Sequence, residues 1–172
     1  MVRIFLTGYM GAGKTTLGKA FARYMDIPFI DLDWYIEERF HKTVGELFIE
    51  RGETGFRELE RNMLHEVAEF ENVVISTGGG APCFYDNMDF MNRTGKTVFL
   101  EVHPDVLFRR LRNARLFITR HNISLMQTNW KTVGRLKHRC DVCDNFWDCR
   151  SNSRYILCNR HLGSCGMCVI CA

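Results

Sequence analysis

Long apolar runs are absent from this chain of 172 residues. A membrane-spanning helix needs about 20 consecutive, mostly apolar residues, and no stretch of the sequence approaches that length. The short apolar stretch at residues 2–7 leads directly into a glycine-rich motif, which is not the pattern of a secretory signal peptide. We therefore expect a cytoplasmic protein that has no membrane partner.

Glutamate and alanine are nearly missing from one part of the chain. Residues 116–172 contain no glutamate and a single alanine, and their 8 Lys/Arg and 3 Asp/Glu side chains give a charge of +5. Residues 1–115 hold 15 basic and 17 acidic side chains, a charge of −2, and only one of the 8 cysteines. We predict a globular body over residues 1–115 and a cysteine-rich tail over residues 116–172.

A phosphate-binding motif lies at residues 8–15, where GYMGAGKT fits the pattern G-x-x-x-x-G-K-[ST]. It follows a strand-like apolar run and precedes a helical pattern over residues 14–25. This strand–loop–helix context favours a phosphate-binding loop over the alternative, a glycine-rich turn that fits the pattern by chance. The glycines let backbone N–H groups converge on phosphate oxygens. We expect Lys14 to reach the β- and γ-phosphates and the Thr15 hydroxyl to bind Mg²⁺.

Alternating strand and helix patterns predict an α/β fold of three layers, with helices on both faces of a central parallel sheet. Four short apolar runs are typical of buried parallel strands: residues 2–7, 28–33, 73–77 and 97–102. One apolar face at steps of three and four predicts a helix: Phe56, Leu59, Met63, Val67 and Phe70. Residues 105–115, after Pro104, predict another. Ligands of such sheets bind at the carboxyl ends of the strands.

Two aspartates close the second predicted strand. Asp31 and Asp33 alternate along it, so we expect both side chains on one side, beside the phosphate loop. One carboxylate can support Mg²⁺, usually through water, and the other can orient or deprotonate an acceptor hydroxyl. The alternative for Asp33 is an N-cap of a helix that begins at Trp34.

Two further motifs fall near the same edge of the sheet. Arg57, in the segment GETGFR at residues 52–57, is expected near a helix N-terminus, where a cation opposes the helix dipole. It either grips a substrate carboxylate or lies solvated on the surface. The triple glycine at residues 78–80 follows the third strand and either admits a ligand close to the backbone or forms a flexible turn.

In their order and spacing, the loop, the Asp31-x-Asp33 pair, the GE-x-x-FR segment and the triple glycine resemble the shikimate kinase family. The resemblance covers residues 1 to about 115. It implies a P-loop fold of the nucleoside-monophosphate-kinase type. It also implies transfer of the γ-phosphate of ATP to the 3-hydroxyl of shikimate, on the route to chorismate and the aromatic amino acids. Shikimate and ATP are the implied partners and Mg²⁺ the cofactor; we expect a monomer that binds no nucleic acid.

The resemblance also assigns roles to residues. It places the ATP site at Gly11, Ala12, Gly13, Lys14, Thr15 and Thr16. Thr15 would hold Mg²⁺ with support from Asp31. Asp33 would act as the base, which makes Lys14 and Asp33 the expected catalytic residues. The assigned contacts to shikimate are Asp33, Arg57 (through the substrate carboxylate) and Gly79.

The sequence departs from the family after Arg115. The family continues into an arginine-bearing lid, an Arg-x-Pro-x-Tyr segment whose arginine is a second carboxylate clamp, a last strand and a final helix. None of these patterns occurs in residues 116–172: Arg120 lies outside a lid context, and Ile118 stands near the expected lid arginine. We therefore expect the C-terminal strand and helix to be missing and the chain to be a poor enzyme.

The cysteines of the tail would ordinarily indicate zinc. The spacings are Cys140-x-x-Cys143 and Cys165-x-x-Cys168, with Cys171 and several histidines nearby. Disulfides suit a cytosolic protein less well. A nucleotide-binding module with a C-terminal zinc domain is therefore one alternative function. Another small-molecule kinase of this fold, such as a gluconate kinase, is a second, although Arg57 and the triple glycine favour a carboxylated ring substrate.

A shifted reading frame explains the whole tail better. When the implied codons are read from each third base, Met126-Gln127 must give alanine, Asn129-Trp130 leucine and Trp130-Lys131 glutamate. Choosing among the permitted bases elsewhere yields a sequence similar to the family's last strand, loop and amphipathic helix. We interpret residues 116–172 as out of frame, with the lid region deleted at the junction.

Overall fold

The computed structural model describes residues 2–113 and 167–171. In chain order the elements are β1 (Arg3–Gly8), α1 (Lys14–Met25), β2 (Phe29–Asp31), α2 (Leu32–Phe40), α3 (Val44–Val67), β3 (Val73–Ser76), a 3₁₀ turn (Ala81–Cys83), α4 (Asn87–Thr94), β4 (Lys96–Glu101), α5 (Pro104–Asn113) and β5 (Met167–Cys171). The four strands predicted for the body are thus confirmed to within two residues at each end.

The described strands form one parallel sheet in the order β2-β3-β1-β4-β5. β1 lies at its centre, where Phe5 is in register with Ile75 of β3 and Thr97 of β4. β1 and β3 are buried along their whole length. Burial on both faces explains why these strands are continuously apolar in sequence.

An apolar core on each face of the sheet holds the layers together. On one face Phe5 and Leu32 belong to a cluster that α2, α3 and α4 cover. On the other face Leu6 and Ala22 belong to a cluster shared with α1 and α5. Full burial of a side chain as large as Phe5, Leu32 or Leu6 contributes roughly 1.5–3 kcal/mol to the free energy of unfolding. The predicted three-layer α/β/α architecture is confirmed.

Helix α3 is interrupted at a glycine. It begins with a capping box, in which Thr43 Oγ1 accepts from the Glu46 N–H and the Glu46 carboxylate accepts from the Thr43 N–H. Gly52 has φ 67° and ψ 179°, a conformation that breaks the helical path and that glycine adopts without strain. Arg57 therefore lies in the second turn after the interruption.

The apolar face predicted for this helix holds with one exception. Phe56, Leu59 and Val67 are buried, and Met63 packs against the same core. The helix ends at Val67, so the prediction is wrong for Phe70, which lies beyond it and is 49% exposed. The helical spacing continues by coincidence into a turn, and spacing alone does not mark where a helix ends.

The expectation that a C-terminal strand is missing is wrong. Residues Met167–Cys171, inside the predicted tail, form β5, which pairs in parallel with β4. Thr97 is in register with Met167, and Glu101 with Cys171. A sheet ladder is made by backbone N–H and C=O groups, so an apolar segment can extend it whichever reading frame supplied its side chains.

The other expectations for the tail fall on residues outside the described part. These are the missing final helix, Ile118, Arg120, Cys140, Cys143 and Cys165, whereas Cys168 and Cys171 are residues of β5. Within residues 2–113 and 167–171, no group of three or more His, Cys, Asp or Glu side chains could hold a metal ion. None of the described helices combines the length and the apolar character needed to cross a membrane.

Candidate active site

The phosphate loop connects β1 to α1. Gly11 and Gly13 have φ angles of 78° and 96°, which side chains disfavour, and they curl the backbone just before α1 begins. Lys14 Nζ donates to the carbonyl oxygens of Gly8 at 2.9 Å and Tyr9 at 3.1 Å. The lysine thus lies over the loop with its charge at the position where phosphates would bind.

The remaining residues predicted to bind ATP complete the loop. Ala12 is buried, whereas Thr15 and Thr16 are exposed in the first turn of α1. The first turn of a helix carries unpaired N–H groups and the positive end of the helix dipole. The structure therefore brings all six predicted residues into one continuous segment that has the features of an anion-binding site.

The two aspartates approach the loop by a different geometry from the one predicted. β2 ends at Asp31 and α2 begins at Leu32, so Asp33 lies in the first turn of α2 and strand alternation does not apply to it. Asp31, without a side-chain capping bond, is the N-cap of α2, so the capping alternative for Asp33 is also wrong. Burial lowers the pKa of Lys14, and the carboxylates of Asp33 and Asp31 oppose this, so both lie near the lysine.

A hydroxyl and a carboxylate meet beside the loop. Thr15 Oγ1 donates a hydrogen bond of 2.7 Å to Asp31 Oδ2, and both groups are exposed. Hydroxyl and carboxylate oxygens are ligands that Mg²⁺ prefers, with waters completing its octahedron. These two residues therefore fit the predicted magnesium site.

Arg57 is enclosed by aromatic rings. Its Cζ lies 4.2 Å from the ring centroid of Phe84 and 5.3 Å from that of Phe48. Its side chain is 13% exposed, so a solvated surface arginine does not describe it. Nη1 donates to Glu60 Oε2 at 2.7 Å, and the buried Nε has no partner among the described residues. Glu60 therefore uses only part of the hydrogen-bonding capacity of the guanidinium.

Two residues of the triple glycine leave room for neighbouring parts of the site. A Cβ on Gly79 would stand 3.3 Å from the backbone nitrogen of Met10, so Gly79 lies against the phosphate loop. A Cβ on Gly80 would stand 2.8 Å from Nη2 of Arg57. The segment is therefore a packed wall of the site, and the flexible-turn alternative does not describe it.

The Asp33 side chain is exposed, yet protein surrounds its carboxyl closely enough that desolvation raises its pKa. The charge of Asp31 raises the pKa further, while Lys14 and Arg57 lower it. A raised pKa makes a carboxylate a stronger base. The arrangement therefore suits proton acceptance from a hydroxyl next to the phosphate loop.

The site also contains two residues, Glu60 and Arg110, that were not predicted. Glu60 is 1% exposed, and burial raises its pKa while Arg57 opposes the rise; its position three residues after Arg57 is a helical pairing distance that could have indicated it. Arg110 donates to the carbonyl oxygens of Gly11 at 3.1 Å and Ala12 at 3.3 Å. It lies nearly a hundred residues away along the chain, so no local pattern pointed to it.

Comparisons with known sequences show the family of the chain. A sequence model of the family described as shikimate kinase matches residues 10–152, which reaches into the predicted tail. The shikimate kinase of Bacteroides thetaiotaomicron is 91% identical over 115 residues, covering 67% of this chain and 66% of that protein. The aligned length equals that of the body predicted from composition. The chain thus matches slightly less than two thirds of this relative's length.

Solved structures point to the same family. The crystal structure of shikimate kinase from Bacteroides thetaiotaomicron has a TM-score of 0.72 at 76% identity, covering 77% of this chain and 80% of that one. Shikimate kinase from Acinetobacter baumannii, solved in complex with shikimate, has a TM-score of 0.72 at 30% identity, covering 81% and 79%. The resemblance carried by the four motifs is confirmed: the chain belongs to the shikimate kinase family.

Proposed function

We propose that the body of this chain binds ATP, Mg²⁺ and shikimate in the geometry needed to transfer the γ-phosphate to the 3-hydroxyl of shikimate. The observation that carries the proposal is that Asp33 and Glu60, which binds Arg57 at 2.7 Å, both border the place of a Cβ on Gly78, while the next residue, Gly79, lies against the phosphate loop. A phosphate site, a base and a second anion site are thus adjacent. The similarity to the shikimate kinase of Bacteroides thetaiotaomicron, and the shikimate complex of the Acinetobacter protein, support the same acceptor.

The nucleotide side of the reaction uses residues 11–16. Lys14 and the N–H groups of the loop bind and neutralise the β- and γ-phosphates. Thr15 and Asp31 would hold Mg²⁺, which supplies further neutralisation of phosphate charge. Phosphoryl transfer depends mainly on positioning and charge neutralisation, so a prefolded loop meets most of its needs.

The proposed binding site for shikimate lies beside the phosphate loop. Arg57 pairs with the shikimate carboxylate through its unpaired guanidinium edge, while Glu60 holds the opposite edge. Asp33 orients the 3-hydroxyl and accepts its proton as the phosphate is transferred. Gly79, which has no side chain, lets shikimate approach the backbone closely.

We extend the proposal to a monomer in the cytoplasm without nucleic-acid or membrane partners. Light scattering after size-exclusion chromatography tests whether the chain is a monomer.

Calorimetry of the full chain tests the acceptor. We expect shikimate to bind and gluconate not to bind, because a buried cation among aromatic rings suits a carboxylated ring. Arg57→Ala should weaken shikimate binding by roughly 1.5–3 kcal/mol, about 10- to 150-fold in Kd. Arg61→Ala is the matched control, since Arg61 lies on the same helix and pairs with Asp86 at 2.7 Å. Binding of gluconate in preference to shikimate would overturn the proposal.

A further inference from the structure

Two carboxylate oxygens fill the place of the missing side chain of Gly78. A Cβ built on this buried glycine would stand 2.6 Å from Glu60 Oε1 and 2.9 Å from Asp33 Oδ1. Real Cβ atoms do not approach other heavy atoms this closely. Any residue other than glycine at this position must therefore move at least one of the two carboxylates.

The backbone gives no other reason for glycine at position 78. Among the described residues, the glycines with positive φ are Gly8, Gly11, Gly13 and Gly52, and Gly78 is not one of them. A positive φ is therefore not the reason for glycine at this position. Space for the two carboxylates is therefore what requires a glycine here.

We propose that Gly78 is a positioning residue of the acceptor site, because its missing side chain lets Asp33 of α2 and Glu60 of α3 occupy one recess after β3. From this recess Glu60 reaches Arg57 at 2.7 Å. A Cβ that displaced Glu60 would leave Arg57 without its partner, and one that displaced Asp33 would move the base. The inference rests on the proposed function, since Asp33 and Arg57 are acceptor contacts only if that proposal holds.

The atoms that a Cβ would meet are the ends of side chains, not backbone. The chain can therefore still fold with alanine at position 78 by rotating one carboxylate away. The substitution then changes the geometry of the acceptor site, while the affinity for ATP is kept, because the atoms nearest to a Cβ on Gly78 belong to Glu60 and Asp33 and not to the phosphate loop.

Calorimetry and NMR of the full chain test the inference with a matched control. In Gly78→Ala, shikimate affinity should fall about tenfold or more, as for loss of a charge-assisted pair, with ATP affinity unchanged. In Gly45→Ala, where a Cβ meets only Thr43 Oγ1 at 3.9 Å, neither affinity should change. In labelled protein, a carboxyl signal of Asp33 or Glu60 should shift in Gly78→Ala and not in Gly45→Ala.

The two readouts separate the failure of this inference from that of the proposed function. If the unsubstituted chain binds no shikimate, the proposed function fails, and the carboxyl signals still decide the role of Gly78. If shikimate binds equally well to both alanine variants, or if neither carboxyl signal shifts in Gly78→Ala, Gly78 is not a positioning residue. A Gly78→Ala chain that loses its folded NMR spectrum would also overturn the inference, because the requirement for glycine would then be structural.

Discussion

Thr15 Oγ1 and Asp31 Oδ2, in residues 16 positions apart in the sequence, are joined by a hydrogen bond of 2.7 Å. The bond links the first turn of α1 to the end of β2. Each partner is fixed independently, Thr15 by the loop that starts α1 and Asp31 by its register with Ser76 of β3. Two oxygen atoms of a kind that binds Mg²⁺ are therefore held side by side.

We expect Asp31→Asn to lower the affinity for Mg²⁺ by about 10- to 100-fold, the usual cost of altering a supporting metal contact. Mg²⁺ should then strengthen ATP binding less than it does in the unsubstituted chain. The amide can still accept the bond from Thr15, but it brings no charge to the cation. Titration of ATP with and without Mg²⁺ measures the effect. Asp26→Asn, at an exposed position that ends α1, is the control. An unchanged Mg²⁺ increment in Asp31→Asn would show that Asp31 does not support the metal.

The aspartates show what the sequence could and could not reveal about the site. Their position after an apolar strand placed both of them near the loop, because the carboxyl ends of parallel strands meet at one edge. The predicted alternation of the two side chains along a strand was wrong, because the strand ends at Asp31. Leu32, which is fully buried in the core, is already the first residue of α2. Where a strand ends is decided by such tertiary packing, which a local alternation pattern does not contain.

Local sequence patterns predicted the phosphate loop best and the tail least well. The residues from Gly11 to Thr16 are contiguous, so their motif specified the whole phosphate site. Glu60 and Arg110 join the site through contacts between elements, which no single segment records. β5 was not expected because residues 116–172 lack a sustained period, yet Met167–Cys171 pairs with β4 through its backbone.

Lys14→Ala should abolish measurable ATP binding. The substitution removes the charge that Lys14 holds over the loop and leaves the carbonyl oxygens of Gly8 and Tyr9 without their donor. Calorimetry with ATP and Mg²⁺ checks the result. Lys19→Ala, which removes an exposed lysine from the same helix, should bind ATP normally. Unchanged affinity in Lys14→Ala would remove the phosphate-site assignment.

We expect His65 to make the fold less stable at acidic pH than at neutral pH. Its ring stacks on Phe90 at 3.7 Å, and its buried Nε2 has no hydrogen-bond partner among the described residues. Burial lowers the pKa of His65, Arg61 and Arg93 lower it further, and Asp86 opposes them. Below about pH 6.5 the unfolded chain therefore takes up a proton that the folded chain does not, so the free energy of unfolding decreases as pH falls.

The variant His65→Phe keeps a ring against Phe90 and removes the titration. Denaturant unfolding at several pH values below 7 should show a shallower loss of stability in His65→Phe than in the unsubstituted chain. His103→Gln, which replaces an exposed histidine elsewhere in the chain, is the control. Equal slopes in all three proteins would mean that His65 does not carry this dependence.

We expect near-background phosphorylation of shikimate, because the sequence pattern offers neither the lid arginine near Ile118 nor the second carboxylate clamp. A site without a lid does not exclude water or complete the closed state. Replacing residues 114–172 with the matching segment of the Bacteroides thetaiotaomicron relative should restore activity in a coupled assay of ADP release. Full activity without that replacement would contradict the frameshift interpretation, since the tail would then supply the missing functions. So would stoichiometric zinc together with cooperative unfolding sensitive to a chelator, because a tail translated out of frame has no reason to form a defined metal site.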